Sequence, residues 1–304
     1  MPGNIVVTSI EGAKYSAHTI RCVCITRQVN QADLVHRSSL AQRLHDTSLQ
    51  RLQSVTAEHE LHTAYTTLPP LSRLRSLHIR LRGRRTAATI SHPAFLDFGL
   101  QPALAHLHIE GDLWTGFQDL FCGVTTHLRT CILEGSLVVN AQVEGFFERI
   151  SNGLSSLYCI GTHISGSVRT VFPALRLLSF HRLLHWDSIL PFPNTEISTL
   201  CVEGEEYNLL ARDDNDFDTL LEINLLRYRS SLRHLFLRSA AAWKPRPSLM
   251  RFIRHSRLES ILLDGAIMLN NLDLWYITSC STLELVISVP DWPTVCIVRI
   301  FGLD

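Results

Sequence analysis

One short phrase recurs nine times along the chain: an aliphatic residue, two variable residues, an apolar residue, one variable residue and another residue that is apolar in most copies. The clearest copies are Leu74–Ile79 and Leu104–Ile109, and the weakest is Leu283–Ser288. Successive copies start 21 to 35 residues apart. The starts are Leu74, Leu104, Leu128, Leu154, Leu175, Ile197, Leu232, Leu258 and Leu283. A period in this range is typical of a repeat architecture, in which one copy cannot bury its apolar side alone.

The spacing inside the phrase predicts how each copy folds. The fourth and sixth positions alternate, so on a β-strand both side chains point into the core, and the first position turns in from the preceding loop. The third, fifth and seventh positions then point to the opposite side. Phrase and period together predict an α/β leucine-rich-repeat solenoid, a horseshoe with a parallel concave sheet and convex helices or turns.

Four segments between the phrases carry apolar residues at helical spacing, which predicts helices on the convex side. They are Trp114–Val124, Val139–Ile150, Phe217–Tyr228 and Pro247–His255. Before residue 70 the pattern is less regular: Ile20–Ile25 fits a degenerate copy of the phrase, and the leucines between residues 34 and 52 fit amphipathic helices. We therefore predict an N-terminal helical or capping region over residues 1–70 and a repeat domain over residues 71–304.

Composition narrows the choice of partners and compartment. The chain has 28 basic and 28 acidic residues, so no overall field attracts it to nucleic acid or to a membrane surface. Met1–Tyr15 does not read as a signal peptide, and no uncharged apolar run approaches the roughly 18 residues that span a bilayer. These features predict a cytoplasmic or nuclear protein. Cys131 and Cys159 stand at apolar positions of the phrase, so we expect them to be buried, without zinc or disulfide roles.

The units Leu71–Ile79 and Phe252–Asp264, each running from a polar link into a Leu-x-x-Leu or Leu-Glu-x-Ile strand, resemble those of fungal F-box-type leucine-rich-repeat proteins. The resemblance covers roughly residues 70–290. It implies substrate recognition for a ubiquitin ligase, with a Skp-type adaptor as a partner beside the protein target. The N-terminal region would then be either a degenerate repeat or a diverged F-box-like segment. No F-box motif, which usually opens with a Leu-Pro-x-Glu-like phrase, is found in Met1–Tyr65.

The repeat register predicts which side chains line the concave face. That face mixes aromatic, histidine, arginine and carboxylate side chains, as a protein-binding surface does. The residues that we expect to contact a protein target are His78, Arg80, His106, His108, Glu110, Tyr158, His181, Glu203, His234, Phe236, Arg238 and Asp264. His78 and His108 should lie in one column of neighbouring strands, roughly 5 Å apart, which is the sharpest local cluster.

Catalytic signatures are absent from the sequence: it has no Gly-rich phosphate loop, no Gly-x-Ser-x-Gly elbow and no His-Glu-x-x-His helix. Cys201 falls on the predicted concave face two residues before Glu203, with no histidine beside it in the predicted register. We expect no catalytic residue, no cofactor and no metal. The leading hypothesis is a protein-interaction module related to F-box proteins. The alternatives are a scaffold or regulator without an F-box, and an enzyme with an unrecognised concave-face site.

Overall fold

The computed structural model describes the chain in segments. They are residues 5–7, 22–25, 54–60, 70–82, 96–111, 121–135, 137–161, 164–165, 168–183, 192–193, 196–204, 225–243, 247–267, 284–288 and 296–299. The chain divides into two compact units, Met1–Leu154 and Ser155–Asp304. Both are α/β and are dominated by parallel strands, with few helices in the described segments. The predicted division at residue 70 stays a prediction.

The N-terminal unit is built on six parallel strands that pair in chain order, and two short strands that alternate with them in sequence, Leu96–Asp97 and Phe121–Cys122, pair with each other in parallel. Its elements are β1 Ile5–Val7, β2 Cys22–Ile25, β3 Ser54–Glu60, β4 Ser76–Arg82, β5 Leu96–Asp97, a 3₁₀ turn Phe98–Leu100, β6 His106–Glu110, β7 Phe121–Cys122, β8 Thr130–Glu134, β9 Leu137–Val138 and α1 Ala141–Ile150. Strands therefore occur before residue 70, and β3 is one that the phrase did not predict.

The C-terminal unit repeats this plan. Six strands, the first Ser156–Ile160 and the last Glu284–Ser288, pair in parallel, and Cys296–Arg299 pairs antiparallel with the last of them. The elements are β10 Ser156–Ile160, β11 Ile164–Ser165, β12 Leu177–Leu183, β13 Thr199–Gly204, β14 His234–Trp243, α2 Pro247–His255, β15 Ser260–Ile267, β16 Glu284–Ser288 and β17 Cys296–Arg299. Residues 225–227 are also helical, at the end of the segment predicted as Phe217–Tyr228.

Burial follows the predicted alternation in the first eight copies of the phrase wherever side chains are described, except at the fifth-position residue Ser179, which is buried. In β6, Leu107 and Ile109 are buried while His108 and Glu110 are partly exposed. Cys131 and Cys159 occupy the equivalent core positions with no exposed surface, as predicted, and burial raises the pKa of Cys159 to about 12. Each fully buried aliphatic side chain stabilises the fold by about 1.5–3 kcal/mol.

Helix α1 covers the core of the N-terminal unit. Its first amides are capped by the Asn140 side chain, which accepts hydrogen bonds from the amides of Gln142 and Val143 at 2.9 and 3.1 Å. Its buried face includes Phe146, whose ring centroid lies 4.8 Å from that of Phe121. The helix predicted over Val139–Ile150 is thus confirmed. The helix predicted over Trp114–Val124 is wrong at its end, where Phe121 lies in strand β7.

The ninth copy of the phrase is one residue out of its predicted register. Leu285 pairs with Ile261 and Val286 with Leu262, so Leu285 and not Val286 takes the core column. A shift of one residue exchanges the two sides of a strand. The run Glu284–Ser288 has three consecutive apolar residues and fits either frame, which is why the sequence alone misplaced it.

Candidate functional site

The third, fifth and seventh positions of the phrase form what we call the open face of each unit's sheet. In β4 this face carries Ser76, His78 and Arg80, which are all partly exposed, between buried Leu77 and Ile79. Parallel pairing without a shift keeps equivalent positions side by side from β4 to β8. Side chains from copies distant in sequence therefore meet in rows across the strands.

In the N-terminal unit, two histidine–carboxylate pairs run along such rows. The Nε2 of His78 donates to Oε2 of Glu110 at 3.1 Å, and the Nε2 of His108 donates to Oε2 of Glu134 at 3.0 Å. A carboxylate only accepts, so each Nε2 must carry the proton. The two imidazoles stack with ring centroids 4.0 Å apart and planes within 2° of parallel. The predicted neighbourhood of His78 and His108 is confirmed.

Electrostatics keeps His78 neutral. Burial lowers its pKa, repulsion by the neighbouring His108 and Arg80 lowers it further, and Glu110 only partly opposes these effects. Burial raises the pKa of Glu110, but the guanidinium of Arg80, whose Nε donates to Oε2 of Glu110 at 2.8 Å, outweighs it and leaves the net pKa lowered. Near neutral pH the cluster therefore contains one ion pair, between Arg80 and Glu110, beside a neutral imidazole.

In the C-terminal unit, His181 is held by side chains at both ring nitrogens. Its Nδ1 lies 2.8 Å from Oε2 of Glu203 and its Nε2 lies 2.6 Å from Oγ of Ser179. Because Glu203 accepts at Nδ1–H, the neutral ring accepts the Ser179 hydroxyl hydrogen at Nε2. Arg238 donates to the other oxygen of Glu203 at 3.1 Å, and the Tyr158 ring stacks on the imidazole with centroids 6.4 Å apart.

The other predicted face residues are placed as follows. His106 is exposed at a third position of β6, and Phe236 is partly exposed at a fifth position of β14. His234 shares a 2.8 Å hydrogen bond through Nδ1 with Oγ of Ser260 on the next strand. Asp264 lies opposite Arg238 in the backbone register, and its side chain is outside the described residues. Ser179, Ser260 and Glu134 complete these contacts and were not among the predicted site residues.

Ser179, His181 and Glu203 are connected in the order of a hydrolytic triad, serine to Nε2 and Nδ1 to carboxylate. Ser179, however, has no exposed surface. It also lies inside β12, where strands pair on both sides. A nucleophile of that kind needs an accessible Oγ and free amide donors for the oxyanion. The hydroxyl of Ser179 instead orients the His181 ring.

Cys201 lies on the open face, and, as the sequence predicts, its direct neighbour in the register is not a histidine. It lies directly opposite Ser179 in the register and is partly exposed. The Ser179 hydroxyl lies 2.6 Å from Nε2 of His181, so Ser179 stands between Cys201 and the imidazole. The sequence does contain a signal for this contact. Ser179 precedes His181 by two residues, so the two side chains lie on the same side of one strand.

Within the described segments, no group of three or more histidine, cysteine or acidic side chains is arranged to hold a metal ion. None of the helices there has the length and apolar character needed to cross a bilayer. Comparison with known proteins adds no family: no protein-family model matches the chain, and no curated protein matches it in sequence.

Proposed function

We propose that the chain is a leucine-rich-repeat protein that binds a protein partner through the open faces of its sheets and performs no catalysis. The observation that carries the proposal is the agreement between phrase and burial. In the first eight copies, each described core position is buried, while the positions between them vary and almost all retain exposure. Repeat proteins use such a variable row for recognition, because neighbouring strands present it as a continuous surface.

The chemistry of the open faces supports protein rather than nucleic-acid recognition. In the C-terminal unit, Tyr158 and Phe236 are partly exposed in the fifth-position row, and Arg238 is exposed in the seventh-position row. Tyrosine and arginine dominate protein-binding hot spots. In the N-terminal unit, Arg80 is already paired with Glu110 at 2.8 Å, so the row offers no unbroken stripe of positive charge for phosphates.

The version favoured by resemblance is substrate recognition for a ubiquitin ligase of the F-box type. It rests on the units Leu71–Ile79 and Phe252–Asp264, the second of which contains helix α2 and the start of β15. In this version the open faces bind the target, and a Skp-type adaptor links the chain to a cullin. The compartment would be the cytoplasm or the nucleus.

One structural observation favours the scaffold version, which needs no adaptor. Strands β1, β2 and β3 lie within the first 60 residues and pair in parallel up to β4. An F-box is a three-helix element, so these strands extend the repeat-like sheet into the range where the family would carry helices. The phrase-like sequence Ile20–Ile25 contains β2, which agrees with its interpretation as a degenerate copy.

Affinity purification of the full chain with quantitative mass spectrometry tests both versions. Recovery of a Skp-type adaptor and a cullin would support the ligase version, and specific partners without them would support the scaffold. The open-face variant changes Arg80, Tyr158 and Phe236 to alanine, and the control changes exposed residues outside the open faces, Val171, Leu226 and Arg251, to alanine. We expect partners to be lost from the open-face variant alone. Equal recovery from both variants, with unchanged melting curves, would contradict the proposal.

A further inference from the structure

Four side chains on the open face of the C-terminal unit lie in a continuous series that runs from a thiol to a carboxylate. Cys201 lies directly opposite Ser179 on the neighbouring strand, the Ser179 hydroxyl lies 2.6 Å from Nε2 of His181, and Nδ1 of His181 lies 2.8 Å from Glu203. Arg238 holds the far oxygen of Glu203 at 3.1 Å. The series joins a partly exposed nucleophile to a base and to the carboxylate that orients the base.

We propose that Ser179, His181 and Glu203 form a proton relay that makes Cys201 a site of thiolation by low-molecular-weight disulfides. The site lies on the face proposed above to bind a protein, but its chemistry does not require that binding. The nucleophile is the partly exposed thiol of Cys201, and the buried Ser179 hydroxyl only passes a proton.

Every group of the relay keeps a hydrogen-bond partner before and after the proton is transferred. In the resting state the thiol hydrogen points to Ser179 Oγ, the Ser179 hydroxyl donates to Nε2, and Nδ1–H donates to Glu203. After proton transfer, Ser179 donates to the thiolate, Nε2–H donates to Ser179, and the imidazolium keeps its bond to Glu203. No donor or acceptor of the relay is left unpaired in either state, so no step costs a buried unsatisfied group.

The reaction is balanced by the disulfide itself. Cys201 Sγ attacks one sulfur of R–S–S–R, a new S–S bond forms to Cys201, and the old S–S bond breaks. The leaving thiolate takes the proton that His181 received from Cys201 through Ser179. The net change is one thiol and one disulfide converted into a mixed disulfide and a free thiol RSH, with the small disulfide as oxidant.

The relay matters because the thiol does not ionise readily by itself. Burial raises the pKa of Cys201, and the hydrogen bond from Ser179 opposes this only in part. The thiol is therefore protonated near neutral pH, and its attack depends on a base that removes the proton as the S–S bond forms. His181 can act as this base, because only the Ser179 hydroxyl separates its Nε2 from Cys201.

Cys122 provides an internal control. It is also partly exposed, but its side-chain partner is Asp97, and burial followed by the charge of Asp97 raises its pKa. Asp97 can hold the thiol hydrogen, but its negative charge disfavours the thiolate. Two partly exposed cysteines of one chain thus differ in whether a histidine relay is present.

The test treats the reduced full chain with oxidised glutathione at pH 7 and measures the adduct rate at each cysteine by peptide mass spectrometry. We expect Cys201 to react faster than Cys122 in the wild type. Ser179→Ala and His181→Gln should each slow Cys201 by at least about tenfold, a modest part of what general-base catalysis supplies, and leave Cys122 unchanged. Glutamine retains hydrogen-bonding groups but cannot accept the proton.

A pH series separates the relay from a merely structural role. In His181→Gln the Cys201 rate should rise tenfold per pH unit from 6 to 8, as for a simple thiol, whereas the wild-type profile should be shallower. Equal Cys201 rates in wild type and both variants would overturn the proposal. So would a wild-type Cys201 no faster than Cys122, or an equal slowing of both cysteines in the variants, because the effect would then not depend on the relay beside Cys201.

Discussion

The open faces of the two units follow one positional template but use their histidines differently. In the N-terminal unit, His78 and His108 stack on each other and each donates Nε2–H to a carboxylate on the next strand. In the C-terminal unit, His181 is bonded at both ring nitrogens, by Ser179 and Glu203. The repeat thus determines where a histidine stands, and the neighbouring strands determine its hydrogen bonds.

The turns that follow the strands also occupy equivalent positions but have different surroundings. Gly135 in the N-terminal unit and Gly161 in the C-terminal unit both have positive φ, 125° and 60°. A Cβ at Gly135 would collide with the carbonyl of Gly111 from the preceding copy, whereas a Cβ at Gly161 would meet no atom within 4 Å. The equivalent position after His181 is Arg182, which has φ 55° without being a glycine.

The largest expected effect is a difference in stability between alanine substitutions at these two glycines. Gly135→Ala should destabilise the protein by about 3 kcal/mol, since it combines a backbone conformation that only glycine adopts easily with a steric clash. Gly161→Ala should cost about 1 kcal/mol, the price of the left-handed conformation alone. Urea unfolding followed by circular dichroism measures both. Equal losses would show that the collision with Gly111 does not distinguish the two turns.

The second prediction compares the carboxylates that bind the histidines. Glu203→Gln should cost about 1–2 kcal/mol, because Glu203 is only 28% exposed and joins His181 to Arg238. Glu110→Gln should cost less than about 1 kcal/mol, because Glu110 is 40% exposed and its ion pair with Arg80 is screened by water. Glu148→Gln on helix α1 is the exposed control. A larger loss for Glu110 than for Glu203 would reverse the ranking.

The smallest effect is on pH dependence. Burial lowers the pKa of His78 in the folded state, so the folded chain binds fewer protons than the unfolded one. Its contribution to stability is present above the unfolded pKa of about 6.5 and is lost as pH falls below it. We expect unfolding free energy to decrease from pH 7 to 5, with a shallower slope in His78→Gln and an unchanged slope in the His127→Gln control. The difference should stay below about 1 kcal/mol.

Sequence reasoning was most reliable where one residue's environment depends on its own copy of the phrase. It placed the core positions and the strands of the first eight copies, as well as α1 and α2, because alternation and helical spacing are local signals. It failed at Phe121–Cys122, where apolar spacing suited a helix but a partner strand, Leu96–Asp97, was available for pairing. It missed β3. The residues Leu52, Val55 and Ala57 have the spacing of the phrase, but the last of them is a small alanine and not a large apolar residue.

The ninth copy shows why register is harder than strand position. The three apolar residues of β16 satisfy either frame, and the backbone register pairs Leu285 with Ile261 and Ile287 with Leu263 on the neighbouring strand. Contacts of the open faces pose the same problem. His78 and Glu110 are 32 residues apart, and His181 and Glu203 are 22 apart, so their meeting depends on the chain between them.

The alternation along the chain was sufficient to assign the buried and the open side of the strands in the first eight copies, because the hydrophobic effect buries the apolar side of an alternating strand. Which open side chains come together depends instead on how the strands pair: Ser179 lies between Cys201 and His181, and Arg80 and His78 share Glu110. The reason is physical. Burial is a property of one residue and its periodicity, whereas a hydrogen bond needs two atoms within about 3 Å, a distance that the register of separate strands sets.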